Sequence, residues 1–502
     1  MDLYGTLATG FRSDLTAPWI ELPDGRTLPY RSAEEGSAKV AGLLRSLGVM
    51  PGDRVAVQVD KTPEALLLYL GTVRAGAVFL PLNPAYRAEE VAYFLGDAEP
   101  AVAVGRPEVA REFEAAASAS RVRHVFVLGA DGRGSWAEAV GAASPVHDDA
   151  PVGESDLASI VYTSGTTGRA KGAMLTHRNL VSNAVTLHTL WGFRSGDVLL
   201  HALPIFHVHG LYVATNTAML NASRIRFQER FDAHEVVEAL AGSTVFMGVP
   251  TMYTRLLAQP GLTRERCAGV RLFVSGSAPL LPETFERFRE RTGHTILERY
   301  GMTETGMSTS NPWRGERRAG TVGRPLTGVE VRVVGKDGRP LLAGQVGDVQ
   351  VRGPNVMPGY WRRPETNVEE FTADGFFRTG DLGVFDTDGY LTLVGRSKDL
   401  VISGGLNVYP KEIELLLDAL PGVVESAVIG VAHPDLGEGV TAVLVLKAGA
   451  QVREAEVLAA LRPRLAAFKL PKAVRLVDEL PRNAMGKVQK HLLRERFAGL
   501  YR

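Results

Sequence analysis

The stretch LASIVYTSGTTGRAKGAMLTHRNL, residues 157–180, begins as a β-rich apolar run and then breaks into a loop of small residues. The run predicts a strand ending at Thr163. The loop then carries Ser164, Gly165, Thr166, Thr167 and Gly168, with Lys171 and Gly172 close behind. Small residues expose backbone N–H groups, hydroxyls add donors and an ammonium supplies charge, so this segment suits a polyphosphate. It is not a Walker A loop, which needs Gly followed directly by Lys, whereas two residues separate Gly168 from Lys171 here. A plain Gly/Ser/Thr surface loop is the alternative. The compression of these residue types behind a strand favours the phosphate reading.

On either side of this segment the chain alternates short β-rich runs with helical ones, as in DRVAVQV at 53–59 followed by PEALLLYLGTVRAG at 63–76. That rhythm predicts α/β layers with largely parallel strands, whose ligand sites lie beyond the carboxyl ends of the strands. From about Gly320 the pattern changes to VEVRVVGKDGRPL, VGDVQVRG and FDTDGYLTLVGR, with hairpin dipeptides at Asp337-Gly338 and Asp388-Gly389. A smaller antiparallel β unit is expected there. After the polar break RSKDL, a helix is expected over 410–420, with Pro410 in its first turn and Ile413, Leu416, Leu417 and Leu420 on one face. Strands SAVIGVA and GVTAVLVLK, a helix through AEVLAALRPRLAAF and a last strand AVRLVDEL complete an α+β module. The chain thus divides into a large N-terminal domain of α/β layers plus a small β unit, residues 1–396, and a small α+β C-terminal domain, residues 397–502.

Composition excludes several classes. The 502 residues carry 56 Lys+Arg against 56 Asp+Glu, so no basic surplus points to nucleic acid. With 45% hydrophobic and 22% charged residues the chain is neither disordered nor fibrous. Cys267 is the only cysteine, which precludes an intrachain disulfide and fits a reducing compartment. Any thioester chemistry would then draw its thiol from elsewhere. The opening MDLYGTLATGFRSDLTAPWI is broken by Arg12, Asp14 and Pro18 and lacks the order of a secretory signal. No apolar run approaches the ~20 residues of a membrane span. A cytoplasmic protein with no nucleic-acid or membrane partner is expected.

TSGTTGRAKG resembles the signature loop of the acyl-adenylate-forming superfamily, which comprises acyl-CoA synthetases, adenylation domains of peptide synthetases and luciferases. The remaining signatures follow in family order: ALPIFHVHGL at 202–211, SGSAPL at 275–280, ERYGMTE at 298–304, TGD at 379–381, GRSKDLVISGGLNVYPKEIE at 395–414 and PRNAMGK at 481–487. The resemblance implies ATP-dependent adenylation of a carboxylate with release of pyrophosphate, followed by transfer to coenzyme A. It implies that Thr163, Ser164, Gly165, Thr166, Thr167, Gly168 and Lys171 hold phosphate, that Gly276, Ser277 and Ala278 approach the adenine, and that Tyr300 stacks on it. Asp381 would accept hydrogen bonds from the ribose hydroxyls, with Arg396 beside it. Glu304 would ligate Mg²⁺, a hard cation that prefers oxygen, and Thr303 would bond the α-phosphate. Lys487 would offset charge at the α-phosphorus. Relatives rotate a mobile small domain between half-reactions, which marks Lys398 as the hinge and Gly404-Gly405 as the passage for CoA.

Arg299 stands where many relatives carry a small residue. A buried guanidinium without an anion would cost several kcal/mol, so Arg299 beside the acyl pocket points to a second substrate carboxylate. A salt bridge to Glu298 is the competing explanation. In ERYGMTETGMSTSNP and ISGGLNVYPKEIE the chain resembles malonyl-CoA synthetases more closely than fatty-acid or aromatic-acid ligases. Malonate is the expected substrate, with methylmalonate second, and Met307 and His207 are expected to border the acyl site. A metal site built on His201, His207 and His209 finds no support in ligand spacing. Other short acids, loading of a carrier protein and a nonenzymatic nucleotide-binding role remain as alternatives.

Overall fold

The computed structural model describes residues 2–163, 170–404, 406–483 and 486–501. Two parallel-rich sheets form the body of the large N-terminal portion. The six-stranded sheet runs, in spatial order, His124–Val127, Val102–Gly105, Arg54–Val57, Val78–Pro81, Leu157–Thr163 and Lys171–Thr176. All neighbours are parallel except the last pair, an antiparallel hairpin registering Thr163 opposite Lys171. The nine-stranded sheet has a parallel centre that includes Val245–Gly248, Leu272–Ser275 and Leu297–Met302, with Gly306–Ser310 turning back antiparallel. Strands such as Val102–Gly105 and Val245–Gly248 are buried along their whole length. Their unbroken apolar runs are what a sheet covered by helices on both faces requires.

The antiparallel unit is a four-stranded sheet of Glu330–Val334, Gly347–Arg352, Phe377–Phe385 and Leu391–Arg396. Arg396 ends that sheet and Val401 opens the next, which is built on the long hairpin Val423–His433 and Gly437–Leu446. Its own apolar cluster joins Val401, Ile413, Leu417, Val428, Leu444 and Leu461. Three local expectations are corrected. The helix expected to reach Leu420 ends at Asp418. The helix expected through AEVLAALRPRLAAF is confined to Glu454–Leu461, because Pro463 cannot donate and disfavours helical geometry before it. Lys171, expected to supply charge just behind the phosphate loop, opens a strand rather than lying in irregular chain. No helix among the described residues is long and apolar enough to cross a membrane.

One helix braces the turn that follows Leu297–Met302. Thr176 caps His177–Leu190 in a reciprocal box: Asn179 N donates to Thr176 Oγ1 at 3.1 Å and Thr176 N donates to Asn179 Oδ1 at 2.9 Å. Asn179 Nδ2 also donates to the carbonyls of Pro354 and Val356, each at 2.8 Å. One turn later Asn183 grips the backbone of Met307 twice, accepting from its N–H at 3.0 Å and donating to its carbonyl at 2.9 Å. Asn355 donates to Thr305 O at 2.6 Å from the far side. Replacing Asn183 by Leu takes the side-chain acceptor from the buried Met307 N–H, at ~1–3 kcal/mol, while the Met307 carbonyl keeps Asn355 Nδ2 at 3.1 Å. The expected result is a lower urea midpoint for unfolding of the large domain. An unchanged midpoint would count against this clamp.

Candidate active site

The nucleotide side gathers around two carboxylates. Glu304 lies in the turn after Leu297–Met302 and is 5% exposed. Its Oε1 accepts from Thr163 Oγ1 at 3.1 Å and from Tyr360 OH at 3.0 Å, while its backbone carbonyl takes Met357 N at 2.9 Å. Burial raises the Glu304 pKa, and its hydrogen bonds oppose that rise only in part. Both bonded side-chain partners are neutral hydroxyls, so its ionised form lacks a paired cation among the described residues. Asp381, within strand Phe377–Phe385, accepts from Tyr300 OH at 2.6 Å and pairs with Arg396 Nε at 3.1 Å. Tyr300, expected to stack, thus also has its hydroxyl committed to Asp381. Lys171 contacts Glu370 at 3.3 Å and lies 4.9 Å from the Tyr360 ring centre, so its ammonium is already engaged. Ser164, Gly165, Thr166, Thr167 and Gly168 lie outside the described residues.

The side expected to take the acyl group centres on Arg299, which is 2% exposed, with Nε and Nη2 lacking any hydrogen-bond partner. Gly276 faces it closely: a Cβ there would lie 2.3 Å from the guanidinium carbon, so any other residue would displace the guanidinium. Burial lowers the Arg299 pKa to about 9. Glu298 does not form the alternative salt bridge. Its Oε1 accepts from Leu280 N at 3.0 Å, its Oε2 is unpaired, and burial raises its pKa to about 8, so it is protonated at neutral pH. Arg299 is therefore a buried cation without an ionised partner among the described residues.

His207 and His209 complete this wall. His207 Nδ1 accepts from His209 N at 3.2 Å, which leaves its Nε2 as the donor. Burial, reinforced by the charges of Arg299 and Lys487, lowers the His207 pKa to about 4. His209 Nδ1 lies 3.3 Å from Ser277 Oγ, and its Nε2 is buried without a partner. Ser277 has φ of +71°, a strained conformation for a residue with a side chain. Ala278 follows it in the same turn, before Leu280 takes its bond to Glu298. Met307 is buried behind Gly301, where a Cβ would lie 2.6 Å from the methionine Cε. Thr303 lines a small cavity with Asn179, Asn183 and Asn355.

Lys487 comes from the C-terminal portion and joins the two sides. Burial and the Arg396 charge lower its pKa to about 8, opposed by Asp381 and Asp399, and it acts in turn on His207. It is thus within electrostatic reach of both walls. Its loop reaches across to the large sheet region, where a Cβ on Gly486 would lie 3.1 Å from Thr251 Oγ1. Lys398 lies exposed in the short turn Ser397–Asp399. Gly404 has φ of +58°, and Gly405 lies outside the described residues. Lys398 is within electrostatic reach of Arg396, Asp381 and Lys487, whereas a Cβ on Gly404 would meet Leu436 at 3.7 Å rather than a residue of the walls just described. Tyr360, His209 and Asn183 were missed as parts of a site by reading the sequence. Only the histidine spacing in PIFHVHGL hinted at one of them.

The arrangement offers an acidic edge for a nucleotide and metal, a cationic pocket, and a lysine between them. No group of three or more His, Cys, Asp or Glu that could hold a metal occurs among the described residues. Residues 9–361 match the AMP-binding enzyme family, and residues 412–487 match the AMP-binding enzyme C-terminal domain. The crystal structure of ATP-bound MatB from Rhodopseudomonas palustris aligns over 100% of both chains, with a TM-score of 0.97 and 51% identity. A feruloyl-CoA synthase from an Amycolatopsis species is 38% identical over 477 residues, 94% of each chain. A malonate–CoA ligase from Arabidopsis thaliana is 35% identical over 483 residues, 89% of this chain and 78% of the relative. With its fold, both family regions and full-length relatives in agreement, the chain belongs to the AMP-binding enzyme family and is an AMP-forming acid–thiol ligase of the acyl-CoA synthetase type.

Proposed function

We propose that this ligase activates malonate, with methylmalonate as a secondary substrate, and transfers the acyl group to CoA. The observation that carries this reading is Arg299, a buried guanidinium with two unpaired nitrogens and a protonated neighbour at Glu298. A fork of N–H donors suits a carboxylate bound by two oxygens. The resemblance to the Arabidopsis malonate–CoA ligase supports it, while the feruloyl-CoA synthase likeness keeps an aromatic acid as the second reading. Substrates of this kind accord with a cytoplasmic setting.

In this account one carboxylate of malonate is gripped by Arg299, with the neutral His207 donating from Nε2 beside it. An oxygen of the other carboxylate attacks the α-phosphorus of ATP, and pyrophosphate leaves. The nucleophile is already ionised near neutral pH, so no general base is required. Asp381 and Arg396 hold the ribose end, Tyr300 and the 276–278 turn flank the adenine, and Thr303 faces the α-phosphate. Lys487 supplies positive charge between the walls as charge gathers at phosphorus. The CoA thiol then attacks the acyl carbonyl and AMP departs. Mg²⁺ fits Glu304, a buried carboxylate without a paired cation, because this ion takes one or two carboxylates and completes its shell with phosphate and water. Its chemistry would be neutralisation of phosphate charge. We take Arg396 as the end of the large domain and Lys398 as the hinge on which the small domain turns, with Gly404 and Gly405 along the CoA passage.

Three outcomes test this reading. Arg299→Ala is expected to lower kcat/KM for malonate by roughly 100-fold or more, as removal of one partner of a buried ionic contact does. Its effect on propionate should be small. Measurement is pyrophosphate release over a panel of mono- and dicarboxylic acids, and wild-type preference for propionate or ferulate would discard malonate. Lys487→Ala should slow malonate-dependent pyrophosphate release by about 10²–10³-fold, in line with loss of one preorganised charge. A wild-type rate would contradict its role. Both cations must be protonated to act, and their pKa values are lowered to about 8 for Lys487 and about 9 for Arg299. The pH profile of kcat/KM for malonate should therefore hold through neutrality and fall as pH rises through that range.

A further inference from the structure

Lys61 is only 8% exposed, burial pushes its pKa well down from the ordinary lysine value, and no step above uses it. It follows strand Arg54–Val57 of the six-stranded sheet and immediately precedes Thr62, which caps helix Pro63–Arg74. Its ammonium reaches into the other sheet. Nζ lies 2.8 Å from the His201 carbonyl, 2.6 Å from the Gln228 carbonyl and 2.9 Å from His201 Nδ1. The Phe227 ring centre lies 4.4 Å away. An ammonium has three N–H donors and no acceptor, so these three acceptors satisfy it fully. Among the described residues no carboxylate pairs with it, and an apolar residue here would leave His201 Nδ1 and the Gln228 carbonyl without this donor, while the His201 carbonyl keeps the Gln228 N–H at 3.1 Å.

The bond to Nδ1 fixes the state of His201. With that nitrogen accepting, the proton sits on Nε2, which donates to the Gly210 carbonyl at 2.9 Å. Thr215 Oγ1 donates to the same carbonyl at 3.0 Å. Gly210 closes the turn 204–210, and that turn is folded so tightly that a Cβ on Gly210 would lie 2.0 Å from the Pro204 carbonyl oxygen. His207 and His209 sit inside this turn. From His209 to Thr215 the chain continues as a π-helix, a widened form found mostly at functional sites. Two hydrogen-bonded links therefore run from Lys61 through His201 to Gly210, whose turn carries the histidines that face Arg299. They join the carboxyl ends of strands from both sheets, where a small displacement would open or close the acyl pocket.

We propose that Lys61, acting through His201, is a positioning residue that sets the acyl-site turn 204–210 and thereby the affinity for the acid substrate, with little influence on the nucleotide. The inference rests on the reading of that turn as an acyl wall. Its test uses the acid that the wild-type enzyme prefers, so an error in naming malonate appears in the wild-type panel and an error here appears only in the variants. KM for the acid at saturating ATP and KM for ATP at saturating acid would be measured for Lys61→Met, His201→Phe and His201→Gln, with thermal melts alongside. Lys61→Met and His201→Phe should raise KM for the acid about ten-fold or more, the effect of losing one charge-assisted hydrogen bond, and leave KM for ATP within about two-fold. His201→Gln can still accept from Lys61 and donate to Gly210, and should remain nearer the wild type. Should Lys61→Met fail to fold, Thr215→Val removes a single donor to the same carbonyl and should raise KM for the acid about two- to three-fold, the effect of a neutral hydrogen bond at the weak end of its range. Folded variants with unchanged KM for the acid, with KM for ATP rising in parallel, or with His201→Gln as impaired as His201→Phe, would overturn the proposal.

Discussion

A buried positive charge that finds no counter-ion within the protein is the constraint on which the acyl site depends. Arg299 lies on a strand inside the nine-stranded sheet, hemmed in by Gly276 and shielded from water. Glu298, the nearest carboxyl in sequence, is turned to the Leu280 amide and held protonated by burial to about 8. Two guanidinium nitrogens are left without partners in a place where desolvation of a charge is expensive. In the proposed function, an arriving carboxylate resolves that situation and its second acid group then lies beside the nucleotide wall. The same burial keeps His207 neutral, with its pKa near 4, so the pocket offers one strong cation and a hydrogen-bond donor.

A single strand and its following turn supply both halves of the chemistry. Arg299 belongs to the acyl wall, Tyr300 reaches Asp381, and Glu304 meets Thr163 and Tyr360. This economy makes the turn at 303–307 the point at which a small shift would disturb metal, nucleotide and acid together. The asparagines at 179, 183 and 355 hold that turn through backbone groups, which fixes it without adding charge near the reacting centre. Lys487 arrives from the C-terminal portion and closes the gap between the walls, with electrostatic influence on His207.

Much of this was legible in the sequence, and the exceptions have physical causes. Strand-helix alternation gave the two parallel sheets, and Asp-Gly dipeptides marked the hairpins of the antiparallel unit, because these signals are local. Helix ends were less readable: Pro463 stopped a helix whose apolar pattern continued past it. Lys171 looked like part of a phosphate cradle, yet pairing across the hairpin put it on a strand beside Glu370. Arg299 was identified by residue type, but the direction of Glu298 was settled only by an amide more than a dozen residues upstream. Tyr360 and Lys61 carry no motif, since their partners lie 56 and 140 positions away in the chain. Contacts of that kind arise from the packing of sheets and leave no pattern in a window of sequence.

The most direct test of the account is a crystal structure of the enzyme with a nonhydrolysable malonyl-adenylate analogue. The account predicts that the free carboxylate of the analogue lies at about 2.7–2.9 Å from two nitrogens of Arg299, as a bidentate ionic pair does. An Arg299 side chain turned to Glu298 or another protein carboxylate, with the free end of the analogue bound elsewhere, would contradict it.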